Sequence, residues 1–330
     1  MTRGAWFVLA AVAVAAVLAG AGVRGQQPAA PLPVDDNRIN AAQLDRWMTQ
    51  YSNWGRWGAA DERGAVNLIT PARRVSAMKL VRTGETVSLA RQFTVSAGAA
   101  NAPFGMNLST NPAGVATDRI DIGYHGITVT HLDALCHHAY KGKLYNGYVF
   151  ADIVTKEGGC AKLGVGAMRD RLLTRAVLID LPRLKGVPYL EPGTHVYRED
   201  IEAWEKQAGV KIGPGDALLL HTGRWIHAAT FGPSKVWAGF DASFLPFLKE
   251  RDVALLGSDG AQDVGTVAGF AFPVHRFAIA ALGVPIIDNM ELGPVAETAA
   301  RLKRWAFQLS VLPTNADNGS GSPVTPLATF

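Results

Sequence analysis

The chain has 330 residues, of which 48% are hydrophobic and 18% are charged, so it can bury a large core and is not an intrinsically disordered protein. Its formal net charge of +4 falls to +2 once Arg3 and Arg24 leave with an N-terminal signal, and no basic run is interleaved with aromatic residues. These properties argue against a nucleic-acid-binding protein and predict a globular one.

The first 25 residues have the features of a secretory signal peptide. Arg3 gives a positive start, an apolar Ala/Val/Leu run extends from Ala5 to about Val23, and small residues such as Gly25 offer cleavage points. An uncleaved membrane anchor is the alternative, because the run approaches the roughly 18 to 20 residues that span a bilayer. We predict an exported protein, periplasmic or secreted, with no membrane span in the mature chain.

Residues 26–36 are rich in Pro and Ala and predict a linker, which leaves 37–330 as a single domain. Short apolar runs bounded by Gly, Pro or Asp predict buried strands at 85–91, 176–181, 217–222, 253–258 and 285–289. Capped or amphipathic segments predict helices at 70–81, 198–209, 241–252 and 293–307. The pattern predicts an α/β protein with a mixed β-sheet core and flanking helices.

Four of the eight histidines and one aspartate fall in the stretch HGITVTHLDALCHH, residues 125–138. If this stretch is one extended strand, His125, His131 and Asp133 point to the same face. A His-x-Asp pair can place an imidazole nitrogen and a carboxylate oxygen about 3 to 4 Å apart, close enough to bind one divalent ion at about 2.0 to 2.2 Å each. A turn after Asp133 could bring His137 back to the same pocket, so the stretch predicts a metal site.

The competing interpretation is that each histidine is a hydrogen-bonded core or surface residue. The density of the cluster argues against it, since burying that much polarity unpaired costs several kcal/mol. His138 has the opposite parity to His137 and is expected behind the ligands or in solvent. Cys136 could pair with Cys160 in an oxidising compartment, but a buried small residue or a soft metal ligand fits its position equally well.

The segment THLDALCHH (130–138) resembles the T-H-x-D-A-x-x-H core of the putative cyclase family, whose members include bacterial kynurenine formamidase (arylformamidase) and isatin hydrolase. Other segments resemble landmarks of the long bacterial branch of that family, and together they cover most of the chain after the linker. They are NWGRWGAADERGAVNLITPARRV (53–75), LYNG (144–147), GVPYLEPGT (186–194), GPGDALLLHTGRW (213–225), LLGSDG (255–260) and GSGSPVTPLA (319–328).

The resemblance implies a swivelling β/β/α fold and a metal-dependent hydrolase that opens or cleaves a small cyclic or N-acyl amide with metal-activated water. Carried over by position, its metal ligands are His131, Asp133, His137, His275 in FPVHRF and Asp288 in IIDNM, where the family has Glu. The expected ion is Zn or Mn, one per site with a second in doubt because Asp288 is shorter than Glu. His137 or His275 is the expected general base, and a homodimer acting on a small molecule is the expected assembly.

The sequence departs from the family motif at three positions. The first histidine of H-x-G-T-H-x-D-x-P-x-H falls on Ile127, its Gly on Val129 and its Pro on Leu135. We expect His125 to replace the missing histidine from a position about 6.6 Å away along a strand. Otherwise the site has fewer protein ligands.

Other functions are weighed against this one. A 2-His-1-carboxylate Fe(II) oxygenase would use similar ligands. Oxoglutarate-dependent members of that class typically carry an Arg shortly after the distal histidine, but 277–300 contains none. The helices predicted between the strands also fit poorly with the β-sheet fold of that class. A lyase, a dehydratase or a lactone hydrolase could use the same activated water, and a non-catalytic exported metal- or ligand-binding protein is a further alternative. Trp54, Trp57 and Trp225 either form an aromatic wall for a flat substrate or belong to the core.

Overall fold

The computed structural model of the chain describes Met1 and residues 38–92, 104–267 and 270–330. The predicted signal peptide and linker therefore lie outside the described residues, apart from Met1. From residue 38 onward the described residues belong to one compact unit that spans Pro33–Phe330. Among them, every helix is too short or too polar to cross a bilayer.

Fifteen strands lie in the described residues. They are β1 (Thr86–Ser88), β2 (Phe104–Thr110), β3 (Ala116–Ile122), β4 (His131–Asp133), β5 (Val154–Thr155), β6 (Gly159–Cys160), β7 (Leu173–Asp180), β8 (His195–Val196), β9 (Ala217–His221), β10 (Gly239–Phe240), β11 (Leu255–Ser258), β12 (Ile286–Asp288), β13 (Ala306–Ser310), β14 (Gly321–Pro323) and β15 (Leu327–Thr329).

Helical segments lie between many of these strands. The α-helices of the described residues are α1 (Ala41–Gln50), α2 (Pro71–Met78), α3 (Phe150–Ile153), α4 (Leu181–Lys185), α5 (Arg198–Ala208), α6 (Arg224–Phe231), α7 (Leu245–Glu250), α8 (Pro273–Arg276) and α9 (Gly293–Leu302). A π-helical segment, Phe277–Leu282, continues α8, and short 3-10 turns cover Gly64–Leu68, Tyr145–Gly147, Val165–Met168 and Ala242–Phe244.

Nine strands form one mixed sheet in the order β1-β15-β13-β7-β9-β11-β12-β4-β14. Its centre is parallel, from β7 through β9 and β11 to β12, and these strands are almost wholly buried apolar runs, as parallel strands covered on both faces are. Antiparallel strands extend the sheet on both sides: β13, β15 and β1 beyond β7, and β4 and β14 beyond β12. The predicted fold class is confirmed.

The predicted helix at 293–307 is too long. Helix α9 ends at Leu302 because Lys303 adopts a left-handed conformation (φ 53°), and the apolar residues that follow belong to β13. Phe307 is fully buried there and pairs with Ala176 of β7. Apolar residues continue from the buried face of α9 into β13 without a break in their spacing. Periodicity alone therefore did not mark the end of the helix at 302.

The prediction of one extended strand from His125 to Asp133 is wrong. Only β4 is a strand, and the preceding residues form a bend. The Asn289 side chain holds the bend by donating to the carbonyls of Gly126 (2.7 Å) and Val129 (3.1 Å). His125 therefore reaches its position through a loop and not through strand alternation.

Cys136 and Cys160 form a disulfide, which the sequence had left open. Both residues are buried, and the bond joins the segment after β4 to β6. Because its sulfur is engaged in this bond, Cys136 is not a soft metal ligand. The disulfide fixes the backbone immediately before His137.

Candidate active site

The sheet brings the predicted site residues together on neighbouring strands. β12 pairs with β4 so that Asp288 lies opposite His131 and Ile286 lies opposite Asp133. On the other side of β4, Gly321 of β14 is the partner of Asp133. The site therefore forms where the parallel centre of the sheet meets its antiparallel edge.

The Asp133 carboxylate is the centre of the cluster, and its side chain is 1% exposed. Its Oδ1 lies 3.1 Å from His125 Nδ1, 3.4 Å from His131 Nε2 and 3.7 Å from His137 Nε2. Its Oδ2 lies 3.6 Å from His275 Nε2. Burial raises the pKa of Asp133, but the imidazoles, that of His125 first, bring it well below its ordinary range. Asp133 is a carboxylate at neutral pH.

Within the described residues Asp133 Oδ1 accepts no hydrogen bond, although it is buried. Leaving a buried carboxylate oxygen without a hydrogen bond is costly, and such a group in a folded protein usually has a catalytic role or contacts a water or an ion. Several imidazole nitrogens face this oxygen, which is the donor set that divalent Zn and Mn accept. The residues therefore fit a cation shared between them.

Two groups of potential ligand atoms share Asp133. The atoms of His131, Asp133 and Asp288 lie within 4.8 Å of one another, and so do those of His125, Asp133 and His137. His131 Nδ1 donates to the carbonyl of Val129 at 2.8 Å, which leaves its Nε2 lone pair directed at Asp133. A carboxylate common to both groups is compatible with one ion or with two.

His275, on α8, lies between two further carboxylates. Its Nδ1 donates to the Asp263 carboxylate and its Nε2 lies 3.1 Å from Asp288 Oδ2. Burial opposes protonation of His275, but Asp288 and Asp263 raise its pKa well above the ordinary value. Because Asp263 holds Nδ1, Nε2 is the atom that faces the cluster.

His137 and His138 are neutral at pH 7. Burial lowers the pKa of His137 to about 4 and that of His138 to about 3. The ring of His137 stacks on that of His125, with centroids 3.9 Å apart, and His138 lies 5.0 Å from the ring of His275. His138 is thus half-buried beside His275.

His125 occupies a place in the cluster and Ile127 does not. The Ile127 side chain is 42% exposed, whereas His125 Nδ1 faces Asp133 and its Nε2 lies 3.1 Å from Ser320 Oγ. The ring also packs 4.5 Å from that of Tyr124. His125, and not Ile127, therefore faces Asp133, and its role as a metal ligand stays a prediction.

Three neighbours of the cluster were not identified from the sequence. Asp263 orients His275, Gln262 Nε2 donates to Asp288 Oδ1 at 3.1 Å, and Ser320 contacts His125. Gln262 and Asp263 follow β11 in the segment AQDVG, and only a polar segment after a buried strand marks them in the sequence.

The three tryptophans do not form one wall. Trp54 is 43% exposed and donates to the carbonyl of Ala280, and Trp57 packs partly buried against the core. Trp225 instead contacts the guanidinium groups of both Arg91 and Arg224 through its ring.

Residues 86–262 match the family model described as "Putative cyclase". A solved structure described as a novel cyclase is 30% identical, with a TM-score of 0.75 over 86% of this chain and 99% of that one. Isatin hydrolase A from Labrenzia aggregata, bound to benzyl benzoate, is 21% identical, with a TM-score of 0.55 over 77% and 96% of the two chains. An isatin hydrolase bound to the product analogue thioisatinate is 20% identical, with a TM-score of 0.52 over 78% and 94%.

At these identities the two isatin hydrolases show a shared fold and no more. No curated protein sequence matches the chain. The match to the family model covers more than half of the chain, and the 30% identity extends over most of it. The chain therefore belongs to the putative cyclase family.

Proposed function

We propose that the chain is a metal-dependent hydrolase that opens or cleaves a small cyclic or N-acyl amide. The observation that carries the proposal is the Asp133 carboxylate, which is buried and faced by four imidazoles while its Oδ1 accepts no hydrogen bond. The shared fold with an isatin hydrolase that binds a product analogue supports a cyclic amide as the substrate.

The residues that would hold the ion are those with ligand atoms around Asp133. His131 and Asp288 belong to one group of ligand atoms with Asp133 and His125 to the other, and His275 Nε2 lies 3.6 Å from Asp133 Oδ2. A divalent ion such as Zn or Mn lowers the pKa of a bound water to about 7 and polarises a carbonyl. The negative charge of Asp133 and Asp288 would hold this ion, and the Asp263 contact would fix the ring of His275.

His137 is the residue we assign as general base. Its side chain is 25% exposed and its Nε2 lies 3.7 Å from Asp133 Oδ1, a position from which it could accept the proton of the attacking water. The same nitrogen then returns the proton to the leaving amide nitrogen, which departs as an amine. His275 is less suited to this role because it is enclosed between Asp263 and Asp288.

We also propose that the protein is exported and acts as a homodimer. A disulfide between Cys136 and Cys160 suits an oxidising compartment, and the segment before residue 26 has the composition of a signal peptide. Mass spectrometry of the exported chain would identify its first residue, and size-exclusion chromatography with light scattering would give its mass.

The central experiment measures metal and turnover on the same preparation. Bound Zn, Mn and Fe are quantified, and N-formylkynurenine, isatin and simple lactones are tested with and without chelator. We expect amide turnover that is lost with the metal and restored by Zn or Mn. His131→Ala should lose both metal and turnover, while His195→Ala, a histidine that contacts Asp241 outside the cluster, should keep both. Turnover that survives complete metal removal would contradict the mechanism.

A further inference from the structure

One loop contributes residues both to the histidine cluster and to the wall of a cavity. Ile127 and Thr128, from the bend that follows His125, form one part of its wall. Most of the remaining wall is aromatic or apolar, and it includes Leu190, Trp225 and Trp237. None of the lining residues is Asp or Glu, and the charged group among them is the guanidinium of Arg224.

Arg224 is half-buried, and its guanidinium donates only to neutral hydrogen-bond acceptors. Its Nη1 donates to Asn289 Oδ1 (2.7 Å) and to the carbonyl of Asp259 (3.3 Å), and its Nη2 donates to the carbonyl of Ile127 (2.7 Å). Within 38–92, 104–267 and 270–330 it forms no ion pair, and its Nε–H and second Nη2 hydrogen have no acceptor. Five donors are available on a guanidinium, so two are left over.

The contrast with Arg91 shows that this is particular to Arg224. Arg91 also lies over the Trp225 ring, 3.8 Å from its centroid, but it pairs with Glu291 at 3.2 Å. Burial lowers the pKa of Arg224 to about 10, so it remains a cation at neutral pH. The carboxylates of Asp259 and Asp288 act on this charge without pairing with it, so the two unused N–H groups of the guanidinium are available to an anion from outside the chain.

We propose that this cavity binds a planar aromatic ligand that carries a carboxylate. The guanidinium edge matches a carboxylate with two parallel hydrogen bonds, and the Trp225 and Trp237 side chains provide flat apolar surface for the ring. Binding of this ligand does not depend on the proposed function.

The test compares benzoate with benzamide, which has the same shape without the charge. Isothermal titration calorimetry is run on the full chain after chelator treatment, so that the carboxylate cannot bind at a metal. We expect the Kd of benzoate to be about tenfold lower than that of benzamide, the effect of hydrogen bonds to a charged group. Arg224→Gln should bring the two Kd values together.

Because Arg224 also holds the carbonyl of Ile127, a second variant leaves its hydrogen bonds intact. Ala228 lines the cavity from α6, and Ala228→Phe should fill the cavity and abolish benzoate binding. The matched control is Ala229→Phe, at the next position of the same helix, which is exposed and outside the cavity. It should bind benzoate as the unmodified chain does.

Equal Kd values for benzoate and benzamide, or benzoate binding that is unchanged in Ala228→Phe, would overturn the ligand assignment. Either outcome would leave the proposed hydrolase intact, since that is judged by metal-dependent turnover. Conversely, a chain without metal-dependent turnover would contradict the hydrolase but not the ligand assignment, because benzoate binding is measured on the chelator-treated protein.

Discussion

Replacing Asp263 by asparagine tests the contact that orients His275. Asp263 accepts a hydrogen bond from the backbone N–H of Val274 (2.6 Å) and another from His275 Nδ1. Asparagine keeps one oxygen and replaces the other with an NH2 group, so one of the two donors meets an N–H. A hydrogen bond to a charged group contributes about 1.5 to 3 kcal/mol, and we expect the free energy of unfolding to fall by about that much.

The effect on the metal should be separate from the effect on stability. Loss of the partner that orients a metal-bound histidine typically weakens metal binding roughly 10- to 100-fold, or about 1.4 to 2.7 kcal/mol. Zn and Mn affinities are measured by competition with a fluorescent chelator, and stability by urea denaturation. We expect Asp263→Asn to show both losses.

Asp180→Asn is the matched control. Asp180 likewise accepts from a buried histidine, His221 Nδ1 at 3.0 Å, and from a helix N–H, that of Arg183, but it is not part of the Asp133 cluster. It should lose similar stability and keep the metal affinity. If Asp263→Asn destabilises the chain as Asp180→Asn does but binds Zn and Mn like the unmodified protein, His275 is not a ligand and the reasoning is wrong.

Three further predictions address the base, the disulfide and a buried ion pair. His137→Ala should lose most of kcat and keep at least part of the metal, as judged by steady-state kinetics and metal analysis, and unchanged kcat would exclude it as the base. Replacing Cys136 and Cys160 by alanine opens a loop with a sequence separation of 24, so the free energy of unfolding in urea should fall by about 3 kcal/mol. An unchanged free energy of unfolding would contradict this. Burial opposes protonation of His221, but the Asp180 contact raises its pKa above 6.5 and lowers that of Asp180 below 3.8. The stabilisation by the His221–Asp180 pair is therefore complete between about pH 4 and 6.5, and it is lost as pH rises through the raised pKa of His221. The Tm difference between the unmodified chain and His221→Asn should shrink above pH 6.5, and a difference that grows there would refute the assignment.

The elements that local sequence determines could be predicted. The central parallel strands are continuous apolar runs between Gly, Pro and Asp, and all four were recognised, each within a few residues of its bounds. Thr70 and Pro71 begin α2 as predicted, with the Thr70 side chain accepting from Arg73. His131 and Asp133, two positions apart on β4, are brought together by strand geometry alone.

The remaining features depend on contacts between distant parts of the chain. The hairpin of β2 and β3 is an exception: both strands are mostly exposed, and the hairpin was not predicted although Phe104, Met106 and Leu108 alternate with smaller or polar residues along β2 as in a strand. The bend at 125–129 is held by Asn289, and Asp263 meets His275 only when α8 packs against the segment after β11. The pairing of Cys136 with Cys160 likewise follows from the packing of β6 and not from spacing. Such contacts have no local signal in a single sequence.

The contact between His125 and Ser320 has a consequence for biosynthesis, because these residues lie 195 positions apart. Gly321 next to Ser320 pairs with Asp133, and a Cβ there would come within 2.8 Å of the His125 ring. A nascent chain thus holds its histidines long before it holds the strand that closes around them. Because a metal site rarely exists before the chain folds, a metal ion could bind the cluster only after nearly the whole chain has been synthesised. If the chain is exported before it folds, the metal content of the destination compartment, and not that of the cytosol, would decide which ion it acquires.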